Sequence, residues 1–168
     1  MVSFCQPNGL AIRPRLRRLQ EVQAEIFRQM QLLLPDHITY HDHLASRVPG
    51  SPLLRLEVLE RHKYTTFFRL TYQFTERSKT QFSPDAHIRH YHDARLAEAT
   101  SFNLDQGCTR TADPAFPPRQ LLQLAWRQNR ALDRWLDYVL RQGHSLATMF
   151  PVNANRLEKT LELAELTR

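Results

Sequence analysis

The stretch Lys63-Tyr64-Thr65-Thr66-Phe67-Phe68-Arg69-Leu70-Thr71-Tyr72-Gln73-Phe74-Thr75 decides the fold class. Tyr64, Thr66, Phe68, Leu70, Tyr72 and Phe74 alternate with Lys63, Thr65, Arg69, Thr71 and Gln73, and Phe67 alone breaks the rhythm. A period of two in β-branched and aromatic residues specifies an antiparallel strand with one face in the core and one in water. Upstream, residues 53–60 place Leu54, Leu56 and Val58 on one face, and the short Arg61-His62 link joins the two runs as a hairpin. Downstream, residues 86–101 read either as a second hairpin turning near Asp93 or as one bulged strand.

Helical periodicity flanks these strands. After Pro14, which suits a first helical position, Leu16, Leu19, Val22, Ile26, Met30 and Leu33 recur at helical spacing until Pro35. Arg13, Arg15, Arg17 and Arg18 crowd the start of this helix, the end at which the helix dipole disfavours cations, so they serve a partner or a solvated basic start. A second, longer helix follows the Thr-, Asp- and Pro-rich loop 107–118 and stops at Gly143. Leu121, Ala125, Leu132, Trp135, Leu136, Val139 and Leu140 share its apolar arc, which is expected to cover the sheet. Arg127, Arg130, Arg134 and Arg141 share the opposite face with Asp137, as a solvated face or a nucleic-acid stripe. Asn129 falls at the edge of the arc, where a buried amide must clamp a strand edge or reach a ligand. Tyr64, at the hairpin turn with Glu60, and Trp126, off the arc, are candidates for an interaction surface.

The expected architecture is α+β: an antiparallel sheet of about four strands, with an N-terminal helix and a long C-terminal helix packed on one face. A chain of 168 residues with 42% hydrophobic content supports one domain. Residues 1–13 read as a flexible basic N-terminus, 14–145 as the domain, and 146–168 as a tail. The tail carries a short amphipathic helix over residues 155–166, with Asn155 and Glu158 as a capping box.

Composition excludes several function classes. With only Gly9, Gly50, Gly107 and Gly143, neither a P-loop nor a GxGxxG dinucleotide turn can be written, and the GxSxG elbow is missing. Cys5 and Cys108 form no CxxC pair, the opening residues lack a secretory signal's apolar run, and no membrane-length apolar stretch occurs, so a cytoplasmic protein is expected. The net charge is +6 and all but three of the basic residues are arginine, which suits acidic ligands or nucleic acid, as does codon bias in a GC-rich genome.

Glu60 with Tyr64-Thr65-Thr66, Arg89 with Tyr91-His92-Asp93-Ala94 and Ala97-Glu98, and Asn129, Leu132, Trp135-Leu136, Tyr138, Leu140 and Gly143 form a specific signature. Through it the chain resembles the YqiB-like family of uncharacterised bacterial proteins, from about Leu16 to Gly143. The resemblance implies a bacterial cytoplasmic protein and transfers no activity, cofactor or catalytic residue.

Within the signature, Arg89, His92 and Arg95 can donate to an anion while Asp93 and Glu98 orient the arginines. The same residues also read as a salt-bridged strand turn. Strand alternation puts His90 and His92 on one face, a spacing that can share a metal, but no third ligand is fixed, so neither metal nor cofactor is assigned. His37, His41 and His43, with Asp36 and Asp42, form a second histidine group on a loop without preset geometry. The leading expectation is a noncatalytic cytoplasmic binding or regulatory protein that recognises an anionic small ligand or a protein partner. Its candidate site comprises Arg89, His92, Asp93, Arg95, Glu98, Tyr64 and Asn129. The alternatives are a nucleic-acid-binding protein using Arg127, Arg130, Arg134 and Arg141, and a hydrolase with His92 and Asp93 as acid-base or metal-binding residues.

Overall fold

A computed structural model describes residues 13–34, 41–76, 79–104 and 117–152. In chain order its elements are helix α1 (Arg13–Leu33), strands β1 (His43–Ser46), β2 (Leu53–Arg61), β3 (Thr65–Glu76), β4 (Lys79–Tyr91) and β5 (Leu96–Asn103), and helix α2 (Pro118–Arg141). A 3-10 turn (Leu146–Thr148) and strand β6 (Met149–Pro151) follow. The strands form one antiparallel sheet in the order β5-β4-β3-β2-β1-β6. Strands β1 to β5 are a simple meander, and β6 returns to pair with the outer edge of β1.

Alternation in the strands sorts the central side chains as the sequence predicts, whereas Tyr64, which precedes β3, and Phe74 near its end are exposed. Leu54, Leu56 and Val58 of β2, Phe68, Leu70 and Tyr72 of β3, Ala86 and Ile88 of β4, and Ala97 and Ala99 of β5 face inward. They share one core with Val22, Ile26, Phe27, Met30 and Leu33 of α1 and with Leu132, Trp135, Leu136 and Val139 of α2. The opposite face carries Arg55, Glu57, Phe67, Arg69, Asp85, His87 and Arg89, half-buried or exposed. Phe67 is out of phase with the apolar rhythm because it belongs to this outer face, where its ring stacks on His87.

The sheet has six strands rather than about four. The four-residue β1 lies within a stretch of turn-forming composition, and the three-residue β6 follows the helix stop, so neither is long enough to show a period. β4 begins at Lys79 and runs through Ser83-Pro84, where the β3–β4 register shifts between Thr71 and Gln73. A proline sits there without loss because a bulge needs no ladder donor. The boundary expected after residue 145 also moves: residues 149–151 are part of the sheet. The flexible N-terminus and the tail helix expected over 155–166 lie outside the described residues.

Two buried histidines are treated in opposite ways. Gly143, at φ +96°, ends α2 and is followed by His144, which is 1% exposed. Its Nδ1 lies 2.7 Å from Ser46 Oγ and its Nε2 2.9 Å from Ser51 Oγ, and Ser46 Oγ is 2.6 Å from Thr148 Oγ1. Both nitrogens are satisfied, so the neutral ring ties the end of α2 to β1 and to the β1–β2 turn. His90 is 3% exposed and neither ring nitrogen has a hydrogen-bond partner among the described residues. Its ring stacks on Phe27 at 4.4 Å and meets Phe68 edge-on at 6.0 Å. Burial, and secondarily the neighbouring His92, push its pKa down to about 4.

His90 therefore stays neutral in the fold over a range in which the unfolded chain takes up a proton. Its contribution is complete above pH 6.5 and is lost as pH falls toward 4, by about 2 kcal/mol at pH 4.5. In urea unfolding at pH 7 and pH 4.5, His90→Phe is expected to match or exceed wild type at pH 7 and to lose about 2 kcal/mol less on acidification. An unchanged pH slope would assign the acid sensitivity to another group.

Candidate anion-binding site

The signature residues of β4 and β5 are brought together chiefly to bind one another. Arg89 and Glu98 are register partners on the outer face, with Arg89 Nη1 3.9 Å from Glu98 Oε1. Tyr91 donates its hydroxyl to Glu98 Oε1 at 2.7 Å, and Gln23 of α1 donates to Glu98 Oε2 at 3.3 Å. The Arg89 guanidinium lies over the Phe67 ring at 5.6 Å, and hydrogen bonding to Tyr91 raises its pKa above the usual arginine value. Glu98 thus neutralises Arg89 and ties β5 to α1.

The β4–β5 turn follows the same pattern. Asp93 Oδ1 accepts the Ala94 N–H at 2.8 Å, and Arg95 takes a left-handed backbone at φ 52°. His92 is exposed, with its Nε2 2.8 Å from Thr66 Oγ1, and its backbone N–H donates to the Tyr64 carbonyl at 2.9 Å. The two hairpin turns are thereby joined, with the exposed Tyr64 ring beneath Lys63 Nζ at 4.9 Å. His90 and His92 do share a strand face, their ring centroids 4.9 Å apart. Among the described residues no group of three metal-ligating side chains forms around them or elsewhere. Of the second histidine group, His43 lies in β1 and His41 is exposed, while His37 lies outside the described residues.

Asn129 is in the interior, 1% exposed. Its Oδ1 accepts the Ala99 N–H of the edge strand β5 at 3.0 Å, next to the bulge at Thr100, and its Nδ2 donates to the Ala125 carbonyl at 2.8 Å. Its amide is occupied by a strand-edge clamp.

A different set of residues converges without pairing. Gln29 near the end of α1 bonds Asp133 in the second half of α2, whereas Arg15 and Arg18 near the start of α1 share a groove with residues 122–127 in the first half of α2, so the helices run in the same direction. Between the starts lies a groove of about 340 Å³ lined by Arg15, Arg18, Leu122, Gln123, Trp126 and Arg127. Most other arginines on these helices are paired: Arg17 with Glu21, Arg28 with Glu25, Arg130 with Asp133 and Arg141 with Asp137. Arg15, Arg18 and Arg127 have no carboxylate within ion-pairing distance among the described residues. Neither helix carries an acidic residue in its first turn, so Arg15, in the first turn of α1, opposes that helix's dipole, while Arg127 lies farther along, in the third turn of α2. Trp126 is 37% exposed at this wall, with the Arg130 guanidinium 5.9 Å from its ring centroid.

The sequence flagged Arg15, Arg18, Trp126 and Arg127 separately, and only the packing of the helices unites them. One further cation was missed. Arg55, on the outer face of the sheet, lies over Phe82 at 5.5 Å, and burial lowers its pKa.

The family model described as a protein of unknown function, DUF1249, matches residues 29–145, more than two-thirds of the chain. The chain belongs to this family. The matched DUF1249 region contains the sheet signature, Asn129, Trp126 and Arg127, whereas Arg15 and Arg18 precede it. No curated protein and no solved structure matches the chain.

The Asn129 clamp yields a test within the DUF1249 core. Asn129→Ala leaves the Ala99 N–H unpaired beneath α2 and is expected to cost about 2–3 kcal/mol in denaturant unfolding. A loss below about 0.5 kcal/mol would mean that water takes over the bond and that the clamp contributes little.

Proposed function

We propose that this chain is a noncatalytic cytoplasmic binding module for a phosphorylated or otherwise polyanionic small ligand, held in the groove between the starts of α1 and α2. The observation that carries the reading is the convergence of Arg15, Arg18 and Arg127, which have no carboxylate partner among the described residues, on one groove between two parallel helices. Like charges brought together in this way repel one another in the free protein, and a bound anion reverses the sign of that interaction. Arginine adds a planar, bidentate donor set suited to phosphate oxygens.

The region 89–98 also borders a groove, of about 400 Å³ and lined in part by Arg89 and Tyr91, but it supports the reading less well, because Arg89 faces Glu98 and Glu60 lines the same groove, while the turn's Asp93 accepts the Ala94 N–H. The resemblance to YqiB-like proteins is carried largely by those residues and by Asn129, so it supplies no ligand. For the nucleic-acid alternative, Arg130 and Arg141 are engaged by aspartates, which favours a compact ligand over a long strand. For the hydrolase alternative, His92 and Asp93 are both exposed at a hairpin tip rather than set in a cleft.

Calorimetric titration of the full chain with inorganic tripolyphosphate at low salt is expected to show one site, weakened by added salt. Arg18→Ala and Arg127→Ala should each reduce affinity about tenfold, as loss of one charge-assisted contact, whereas Arg89→Ala should leave it unchanged. Undetectable binding, or a loss confined to Arg89→Ala, would contradict the assignment.

A further inference from the structure

The groove is larger and less polar than a bare phosphate chain requires. Its volume of about 340 Å³ falls in the range of pockets that enclose whole organic ligands. Its lining on α2 consists of two rows at four-residue spacing: Leu122 with Trp126, apolar and aromatic, and Gln123 with Arg127, polar. Arg15 and Arg18, three residues apart on α1, contribute the remaining lining. An anion held by the arginines would leave the Leu122–Trp126 row in contact with water. A ligand with a planar ring beside its phosphates would cover that row as well.

We infer that the ligand of this groove is a nucleotide, its phosphates held by Arg15, Arg18 and Arg127 and its base resting against Trp126, with the Gln123 amide available to the base edge. The inference rests on the anion-binding reading above and deepens it. Trp126 is suited to the task because a partly exposed indole offers a flat apolar surface at small entropic cost, and it already hosts a cation–π contact with Arg130. Gln123 presents both a donor and an acceptor, so it can bond any base edge without demanding one.

The test compares ligands that share a triphosphate and differ in carrying a base. Inorganic tripolyphosphate and the four ribonucleoside triphosphates are titrated calorimetrically into the full chain, into Trp126→Ala and into Trp126→Phe, with circular dichroism confirming the fold of each variant. At least one nucleoside triphosphate should bind about tenfold or more tighter than tripolyphosphate, the worth of one base–aromatic stack. Trp126→Ala should remove that preference while leaving tripolyphosphate affinity within about twofold, and Trp126→Phe should retain most of it. If every nucleotide binds no better than tripolyphosphate, the nucleotide assignment is overturned while the anion site survives. If neither class binds, both readings fall together. A thymidine oligomer that displaces the best nucleotide at well below its own concentration would overturn the assignment in favour of a single strand.

Discussion

The direction of the two helices is the constraint on which the rest depends. Five antiparallel strands separate α1 from α2, an odd number, so β1 and β5 point the same way. A helix that doubles back before β1 and one that doubles back after β5 therefore share a direction. The apolar face of the meander must be covered, and both helices cover it. The like ends of their dipoles then lie side by side, an arrangement that costs electrostatic energy instead of recovering it. In most proteins acidic first turns would offset that cost. Here Arg15 and Arg18 stand in and just after the first turn of α1, and Arg119 in that of α2.

Several charged and polar side chains of the domain are closely paired. Arg69 makes a bidentate pair with Asp85 at 2.8 and 3.0 Å, Glu98 accepts from Tyr91 and Gln23, and His144 and Asn129 each satisfy both ends of their polar groups. Arg15, Arg18 and Arg127, without a carboxylate partner among the described residues, are the cations on which the proposed anion site rests. The sheet signature has a different physical content: it fixes the β4–β5 hairpin and joins it to both helices. A family can share such residues because they determine its fold, whatever its members bind.

The long periodic segments were legible in the sequence. The amphipathic stripe of α1, the alternation of β2 and β3, and the apolar arc of α2 ending at Gly143 all report one-dimensional patterns that burial enforces directly. β1 and β6 were hidden because three or four residues cannot display a period, and β4 was shortened because Ser83-Pro84-Asp85 has the composition of a turn. The site was legible only in parts. The basic start of α1 signalled itself by opposing the helix dipole, but its companions Trp126 and Arg127 lie more than a hundred residues away. In the densest polar cluster in the sequence, residues 87–98, cross-strand register brings Arg89, Tyr91 and Glu98 together, a pairing that the linear sequence does not display.

The most direct measurement is a map of where an anion touches the protein. Backbone amide and Trp126 indole resonances would be followed by heteronuclear NMR during addition of tripolyphosphate to the full chain. Perturbations centred on residues 15–18 and 122–127, with the indole resonance of Trp126 among them, are the expected result. A map centred instead on residues 89–98, or spread evenly over the arginines of the surface, would contradict the central claim.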